Sequence, residues 1–181
     1  MDYLYDDNLV SPRLYTRKLT LEHVPAWSEF FTSDETTEFL KPHVLETPEL
    51  SARQWISRQM DRYAGHEYGL QALFDRNTHD FIGMCGLLLQ DIDGSKQLEV
   101  GYHMLRKYWG NGYAPEAARI FMDYAFNKLG KDTIISIIHV DNVKSQRVAQ
   151  KNGLTRDKQV HFKNIDVWIY RINREEFINQ A

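Results

Sequence analysis

Residues 98–117 read LEVGYHMLRKYWGNGYAPEA and join a strand-like run, a loop with two glycines and the beginning of a helix. The run from Leu98 to Leu105 favours a strand. From Pro115 onward, apolar residues recur at helical spacing as far as Leu129, and Gly130 ends the pattern. Main-chain N–H groups at a helix start have no partner within the helix, and the helix dipole adds partial positive charge there. Since glycines let the main chain approach an anion closely, this stretch predicts an anion-binding turn.

The loop matches neither of the two common nucleotide-binding patterns. No Gly-Lys-Ser/Thr follows the glycines, which excludes a Walker loop. The spacing Gly-x-Gly-x-x-Gly is absent as well, and antiparallel strands before the loop would not form a Rossmann unit. Taken alone, the two glycines fit an ordinary strand-to-helix turn equally well.

The patterns along the rest of the chain predict one α+β domain, 1–181, in which helices flank a sheet. They give the order strand, two helices, three strands, helix, strand, helix and two strands, and the three consecutive strands suggest an antiparallel meander. The expected bounds are a strand over Pro12–Leu19, helix starts at Thr20 and Thr47, strands over Tyr68–Phe74, Phe81–Gln90 and Leu98–Leu105, a helix from Pro115 to Leu129, a strand over Thr133–Val140, a helix from Asn142 to Asn152, and strands over Leu154–Phe162 and Asp166–Ile172.

Composition and charge restrict the classes of protein to which the chain can belong. It has 181 residues, of which 43% are hydrophobic and 26% charged, as in an ordinary globular protein. The formal net charge of -3 gives no reason to expect a nucleic-acid partner. The acidic start does not resemble a secretory signal, and no apolar stretch approaches the ~20 residues that cross a bilayer. We expect a cytoplasmic protein, monomeric or homodimeric, without membrane association.

The single cysteine and the histidines point to neither a covalent mechanism nor a metal. Cys85 lies in an apolar, strand-like run, which favours a buried core residue over a nucleophile. One cysteine cannot form an internal disulfide, which fits a reducing compartment. The histidines form no cluster with metal-ligand spacing, so no metal is expected.

Residues 99–102, 108–117 and 139–154 form motif blocks that occur together in one known family. They resemble the GNAT superfamily of N-acetyltransferases, and most closely the branch that includes the ribosomal-protein N-terminal acetyltransferases. The resemblance covers nearly the whole chain, from Arg13 to Tyr170. It implies a mixed, mostly antiparallel sheet that splays at a coenzyme A cleft and is flanked by helices.

The resemblance also implies acetyl-CoA as the co-substrate. The family's loop pattern, Gln/Arg-x-x-Gly-x-Gly/Ala, falls on Trp109, Gly112 and Ala114. Trp109 departs from the Gln/Arg position, which costs little because main-chain amides supply most diphosphate contacts in the family. The implied contacts are Gly110, Asn111, Gly112, Tyr113 and Ala114 with the diphosphate, Met104 and Leu105 with the pantetheine amides, and Asn142 with the pantetheine arm from the other side.

Acyl transfer to an amine needs a neutral amine, and the leaving thiolate needs a proton or a donor. The resemblance makes Ser145 the proton donor to the sulfur, while Ala149 stands where many relatives carry a tyrosine. Glu99, on the strand before the loop, and His161, near the position of a proposed catalytic glutamate in the ribosomal-protein enzymes, are alternative bases. His103 is interpreted as a wall residue of the cleft. For Glu99 and Ser145 the alternative is a purely structural role.

The implied function is transfer of an acetyl group to a primary amine, either a protein N-terminus or a small molecule. Direct attack in a ternary complex is expected because no covalent nucleophile is apparent. A catalytically degenerate coenzyme A-binding regulatory module is the alternative. The acceptor wall is expected around Phe30 to Leu40, Trp55 and the last strands, whose mixed residues favour no one substrate.

Overall fold

The computed structural model describes residues 5–40 and 43–180, which form a sheet with helices on both faces. The strands are β1 Leu14–Lys18, β2 Leu70–Asp75, β3 Phe81–Ile92, β4 Ser95–Met104, β5 Thr133–His139, β6 Thr155–Phe162 and β7 Ile165–Asn173. The helices are α1 Val24–Ser28, α2 Asp34–Thr37, α3 Pro48–Ala64, α4 Tyr113–Asn127, α5 Val143–Lys151 and α6 Arg174–Ile178.

The seven strands form one sheet in the order β1-β2-β3-β4-β5-β7-β6. Every neighbouring pair is antiparallel except β4 and β5, which are parallel. The α+β class and the mostly antiparallel sheet predicted from the sequence are therefore confirmed.

The two parallel strands separate soon after they meet. Their register has one pair, Glu99 with Ile135, whereas β3 and β4 are paired from Ile92–Ser95 to Gly83–Met104. Just past the pair, the Ser136 hydroxyl donates to the Val100 carbonyl at 3.1 Å. Beyond this point the ends of β4 and β5 no longer pair with each other, which opens a cleft in the middle of the sheet.

Different helices cover the two faces of the sheet. On one face, α4 and α5 contribute to a core in which Phe121, Phe126 and Tyr170 are fully buried. On the other face, α1 and α3 pack together around Trp27 and Ile56. Each fully buried side chain of this size stabilises the fold by about 2 kcal/mol, so both faces hold the opened sheet in place. Cys85 is also fully buried, as predicted.

The element order is as predicted, with three local differences. The helix expected from Thr20 is broken, because Ser33 adopts an extended conformation between a 3-10 turn and α2. Helix α4 begins at Tyr113 rather than Pro115, since Gly112 caps it with a φ of 78°. Helix α6 was not predicted because five residues are too few to show a period. Its capping box, in which Glu176 accepts from the Asn173 amide at 2.8 Å, was the available signal.

Gly83 provides a test of how tightly β3 and β4 are held together beside the cleft. A Cβ at this position would lie 2.3 Å from the carbonyl oxygen of His103. We expect Gly83→Ala to lower the free energy of unfolding by about 2–3 kcal/mol, as overpacking against main chain does, measured by urea denaturation. Gly101→Ala is the matched control, because its Cβ would meet no atom closer than 3.5 Å. Equal losses in both variants would contradict the close approach of the two strands at Gly83.

Candidate active site

The cleft presents main-chain groups of alternate β4 residues. In an antiparallel pair, successive residues turn their N–H and C=O groups to opposite sides of the strand. The carbonyls of Val100 and Met104 point away from β3, since they accept from the Ser136 hydroxyl at 3.1 Å and the Trp109 indole at 2.8 Å. Tyr102 lies between them and shares this orientation. The strand end therefore offers hydrogen-bonding groups of Tyr102 and Met104 to an extended ligand.

Leu105, which was predicted with Met104 to bind pantetheine, has its polar groups already bonded. Its amide donates to Ile82 at 3.0 Å, and its carbonyl accepts from the Tyr108 amide at 3.0 Å. Of the two predicted positions, the geometry favours Met104.

The loop at the start of α4 exposes a row of main-chain amides. Gly110 and Gly112 have φ values of 81° and 78°, which favour glycine. Within the described part of the chain, none of the amides from Gly110 to Ala114 donates to another protein atom, and the first helical bond runs from Glu116 to Gly112. A Cβ on Gly110 would meet nothing within 4 Å. Unpaired amides, open space and a helix start together fit a phosphate group.

Arg13 on the neighbouring segment holds this loop in shape. Its guanidinium lies 2.6 Å from the Glu116 carboxylate in the first turn of α4 and donates to the Asn111 carbonyl at 2.9 Å. It also stacks 4.6 Å from the centre of the Tyr113 ring. Burial raises the pKa of Glu116, but hydrogen bonds from Ser11 and Arg13 outweigh it, so the net shift is downward. The bracing role of Arg13 was not predicted, because its partners lie far along the chain.

Ser145 and Asn142 stand on the other side of the cleft, at the start of α5. The Asn142 carboxamide oxygen caps the helix by accepting from the Ser145 amide at 3.0 Å. The Ser145 hydroxyl donates to the Tyr102 hydroxyl at 3.2 Å, and Tyr102 donates to the Ser145 carbonyl at 3.0 Å. Burial raises the pKa of Tyr102, which keeps the phenol protonated. Tyr102 was not singled out from the sequence. Ala149, where the family's tyrosine is absent, is buried.

Glu99 lies on the opposite face of β4 from Tyr102. Only 8% of the residue is exposed, and its carboxylate accepts from the side-chain carboxamide of Gln90 at 2.7 Å. Burial raises its pKa, although Gln90, Lys163, the Ile137 amide and Arg62 act in the other direction. A buried carboxylate with a raised pKa at the closed end of a cleft is a candidate general base.

His103 follows Glu99 on the same face of β4 and packs among aromatic rings. Its ring lies 5.0 Å from Trp55 and 6.0 Å from Phe30, both in edge-to-face geometry. Burial, with a smaller effect of His43, lowers the pKa of His103 to about 4. At neutral pH His103 is uncharged and weakly basic, which fits the wall role predicted for it.

The geometry of the cleft agrees with the family to which the sequence is matched. The family model described as Acetyltransferase (GNAT) domain matches residues 13–155. The chain belongs to the GNAT acetyltransferase family. It is therefore an acyltransferase, and this fold uses acetyl-CoA with amine acceptors.

Relatives of this GNAT protein match it over nearly its full length. An uncharacterized N-acetyltransferase, p20, of Bacillus licheniformis is 26% identical over 94% of this chain and 98% of its own. The crystal structure of an acetyltransferase from Agrobacterium tumefaciens is 26% identical, with a TM-score of 0.76 over 96% of this chain and 98% of that one. RimL, a ribosomal-protein acetyltransferase solved with coenzyme A, has a TM-score of 0.70 at 17% identity, over 93% of this chain and 98% of that one. The likeness to RimL is one of fold.

His161, the alternative base in this GNAT chain, lies apart from the other candidates. It sits on edge strand β6, and its Nδ1 is 3.1 Å from the Asp166 carboxylate. Its side chain is 66% exposed. Its neighbour Val160 packs against the cluster of Ile135, so alternation turns His161 to the face opposite Glu99. In the described residues no hydrogen bond or ion pair joins it to Glu99 or Ser145.

Trp109 occupies the loop position at which the GNAT pattern has Gln or Arg. Its indole N–H donates to Met104, which ties the loop to the strand end. The cations of Arg106 and Lys144 lie 5.0 and 4.6 Å from its ring. The substitution therefore keeps positive charge beside the loop.

Residues 5–40 and 43–180 contain neither a metal site nor a membrane-spanning helix. No three His, Cys, Asp or Glu side chains within them lie close enough together to hold a metal ion. No helix in these ranges has both the length and the apolar character needed to span a bilayer.

The environment of His103 predicts how stability depends on pH. Its folded pKa of about 4 is below the unfolded value near 6.5, so its contribution is present above about pH 6.5 and is lost as pH falls through 4. Between pH 7 and 4, we expect the wild type to lose up to about 3 kcal/mol more free energy of unfolding than His103→Phe. His161→Gln, at an exposed site, serves as the control. If His103→Phe lost stability with pH as steeply as the wild type, the aromatic rings around His103 would not shield it from water as described.

Proposed function

We propose that the protein, as one acetyltransferase domain over 1–181, moves an acetyl group from acetyl-CoA to a primary amine. The amine attacks the thioester directly while both substrates are bound. One observation carries the proposal: the unpaired amides from Gly110 to Ala114 open into the cleft between β4 and β5, with Glu99 and Ser145 beside it. No cysteine is available as a nucleophile, since Cys85 is buried and burial raises its pKa.

Acetyl-CoA is held along the cleft in this proposal. The amides of Gly110, Asn111, Gly112, Tyr113 and Ala114 bind the diphosphate, with the positive end of α4 behind them. The Met104 amide pairs with a pantetheine carbonyl, as an added strand would, while the Met104 carbonyl accepts from Trp109. Asn142 faces the arm through its amide nitrogen, because its oxygen caps α5.

Glu99 is the base that prepares the amine. An alkylammonium has a pKa of about 10.4 and an α-ammonium about 7.7–8.0, so a bound amine must lose a proton before it attacks. The raised pKa of Glu99 brings this carboxylate nearer to the working pH, where it accepts protons more effectively. His161 remains the alternative base, but it would need to act from the exposed edge of β6.

As the C–S bond breaks, the Ser145 hydroxyl turns from Tyr102 to the sulfur and gives it a proton, and the serine takes a proton back from water. The amine nitrogen forms the new N–C bond, and its proton goes to Glu99 directly or through water. Tyr102 is a positioning residue in this step, because its hydroxyl accepts the hydrogen bond of Ser145.

A coenzyme A-binding module without catalysis is the second candidate. It is favoured by Ala149, which removes the family's usual acid. The test is coenzyme A release from acetyl-CoA with a panel of peptides, amino acids, polyamines and aminoglycosides, alongside isothermal titration with acetyl-CoA. Release with at least one amine supports the proposal. Binding without release supports the module, and the lack of binding would contradict both.

Gly112 tests the assignment of the diphosphate site. We expect Gly112→Val to weaken acetyl-CoA binding about tenfold or more, because valine disfavours a φ of 78° and tilts the amides away from the phosphate. The measurement is isothermal titration. Gly94→Val is a matched control, since Gly94 also has a φ of 78° but lies in the β3–β4 turn. Unchanged affinity in a folded Gly112→Val protein would refute the assignment.

Ser145 and Tyr102 are tested by turnover. Ser145→Ala should lower kcat about a hundredfold, since general acid groups contribute at least that much, and leave the affinity for acetyl-CoA within about twofold. Tyr102→Phe should have a smaller effect of the same kind, because it releases the serine without removing it. Ser95→Ala is the control, because Ser95 is exposed and lies on β4, the strand that carries Tyr102. A wild-type kcat in Ser145→Ala would remove this serine from the mechanism.

A further inference from the structure

The face of the sheet that carries Glu99 has cationic side chains without carboxylate partners. Arg58 and Arg62 on α3 and Lys163 in the β6–β7 turn form no salt bridge with any carboxylate in the described ranges. All three have some exposure to solvent. They lie across the sheet from α4 and α5, so they are not part of the diphosphate loop.

The cations beside the diphosphate loop differ, because each has a carboxylate partner. Arg13 pairs with Glu116 at 2.6 Å and Lys107 with Glu29 at 2.8 Å. The remaining pairs share one carboxylate: Arg106–Glu35 at 2.8 Å and Lys144–Glu35 at 3.6 Å. These four cations therefore differ from Arg58, Arg62 and Lys163, which have no salt bridge within the described ranges.

The unpaired cations surround Glu99 and His43. Lys163 donates to the Gln90 carboxamide oxygen at 3.4 Å, and the same carboxamide donates to Glu99 at 2.7 Å. Arg58 donates to the His43 ring nitrogen at 3.1 Å. Burial is the main cause of the lowered pKa of His43, and the positive charges of Arg58 and Lys163 lower it further. Arg58 of α3 and Lys163 of the β6–β7 turn therefore both lie close enough to His43 to affect its pKa.

A buried hydrogen-bond donor, the Trp55 indole, lies beside these cations. The Trp55 ring lies between His43 and His103, at 5.4 and 5.0 Å. Its indole nitrogen is buried and has no acceptor within the described residues. A buried donor without an acceptor is unfavourable, so an acceptor atom supplied by a ligand would be stabilising there. Glu99 accepts from Gln90, while Asp61 and Glu67 line the same surface pocket as Arg58 and Arg62.

We propose that the acceptor is a primary amine that carries a carboxylate on the same short chain. Its amino group lies toward Glu99, and its carboxylate lies toward Lys163, Arg58 and Arg62. This inference rests on the proposed function and gives it a substrate class. A polyamine or an aminoglycoside would place additional positive charge in the same field, which disfavours it.

The test compares acceptors of similar length that differ in the charge of the group at the far end from the amine. Glycine, β-alanine and γ-aminobutyrate are each assayed beside their amides and beside the diamine of similar length, at saturating acetyl-CoA, by coenzyme A release. We expect kcat/KM to be about tenfold higher for at least one of the carboxylates than for its amide, and lowest for the diamines. The ratio should decrease as salt is added, because exposed charges are screened.

Variants of the cationic residues test which side chains cause the preference for a carboxylate. Lys163→Gln should reduce the carboxylate-to-amide ratio about tenfold, and Arg62→Gln should reduce it in the same direction. Lys158→Gln is the matched control: Lys158 lies on the same hairpin but pairs with Asp93 at 2.6 Å, and the ratio should not change. A preference that survives in both Lys163→Gln and Arg62→Gln would overturn the proposed anchor.

The outcomes separate this inference from the function on which it rests. Turnover of amides or diamines as fast as carboxylates would overturn the substrate class and leave the acetyltransferase intact. If no amine is acetylated, titration of the same probes into the coenzyme A-loaded protein tests whether the site binds carboxylates. Tighter binding of carboxylates than of amides supports the anionic site, and equal or absent binding overturns it.

Discussion

β4 and β5 share one register pair, Glu99 with Ile135, and the site depends on their separation beyond it. A sheet that stayed paired would use the main-chain groups of Tyr102 and Met104 in its own ladder. Because the strands part, these groups face a cleft, while both faces of the sheet remain covered by packed helices. The cost of unpaired main chain is offset when an extended ligand supplies the missing partners.

The two faces of β4 carry different polar side chains. Alternation turns Tyr102 toward α5 and Ser145, whereas Glu99 and His103 lie on the face covered by α3. One face therefore carries the hydroxyls of Tyr102 and Ser145, and the other carries the buried carboxylate of Glu99. In the proposed function, the thickness of one strand separates the proton donor from the proton acceptor.

Local signals in the sequence were sufficient for the loop and the element order. Gly110 and Gly112 precede a strongly apolar helical period, and the family resemblance added Ser145 and Asn142. Tyr102 and Arg13 were missed because their partners are 43 and 103 residues away in sequence, which no local pattern records. The approach of Arg58 and Lys163 to His43 was also missed, because α3 and the β6–β7 turn are far apart in sequence.

The most direct measurement of the central claim is amide hydrogen exchange with and without acetyl-CoA. Residues 102–104 and 110–114 come from the two elements that the cleft brings together. The account predicts slower exchange in both segments on binding, with no change in β1, at the far edge of the sheet. Saturating acetyl-CoA that protects neither segment would contradict the account.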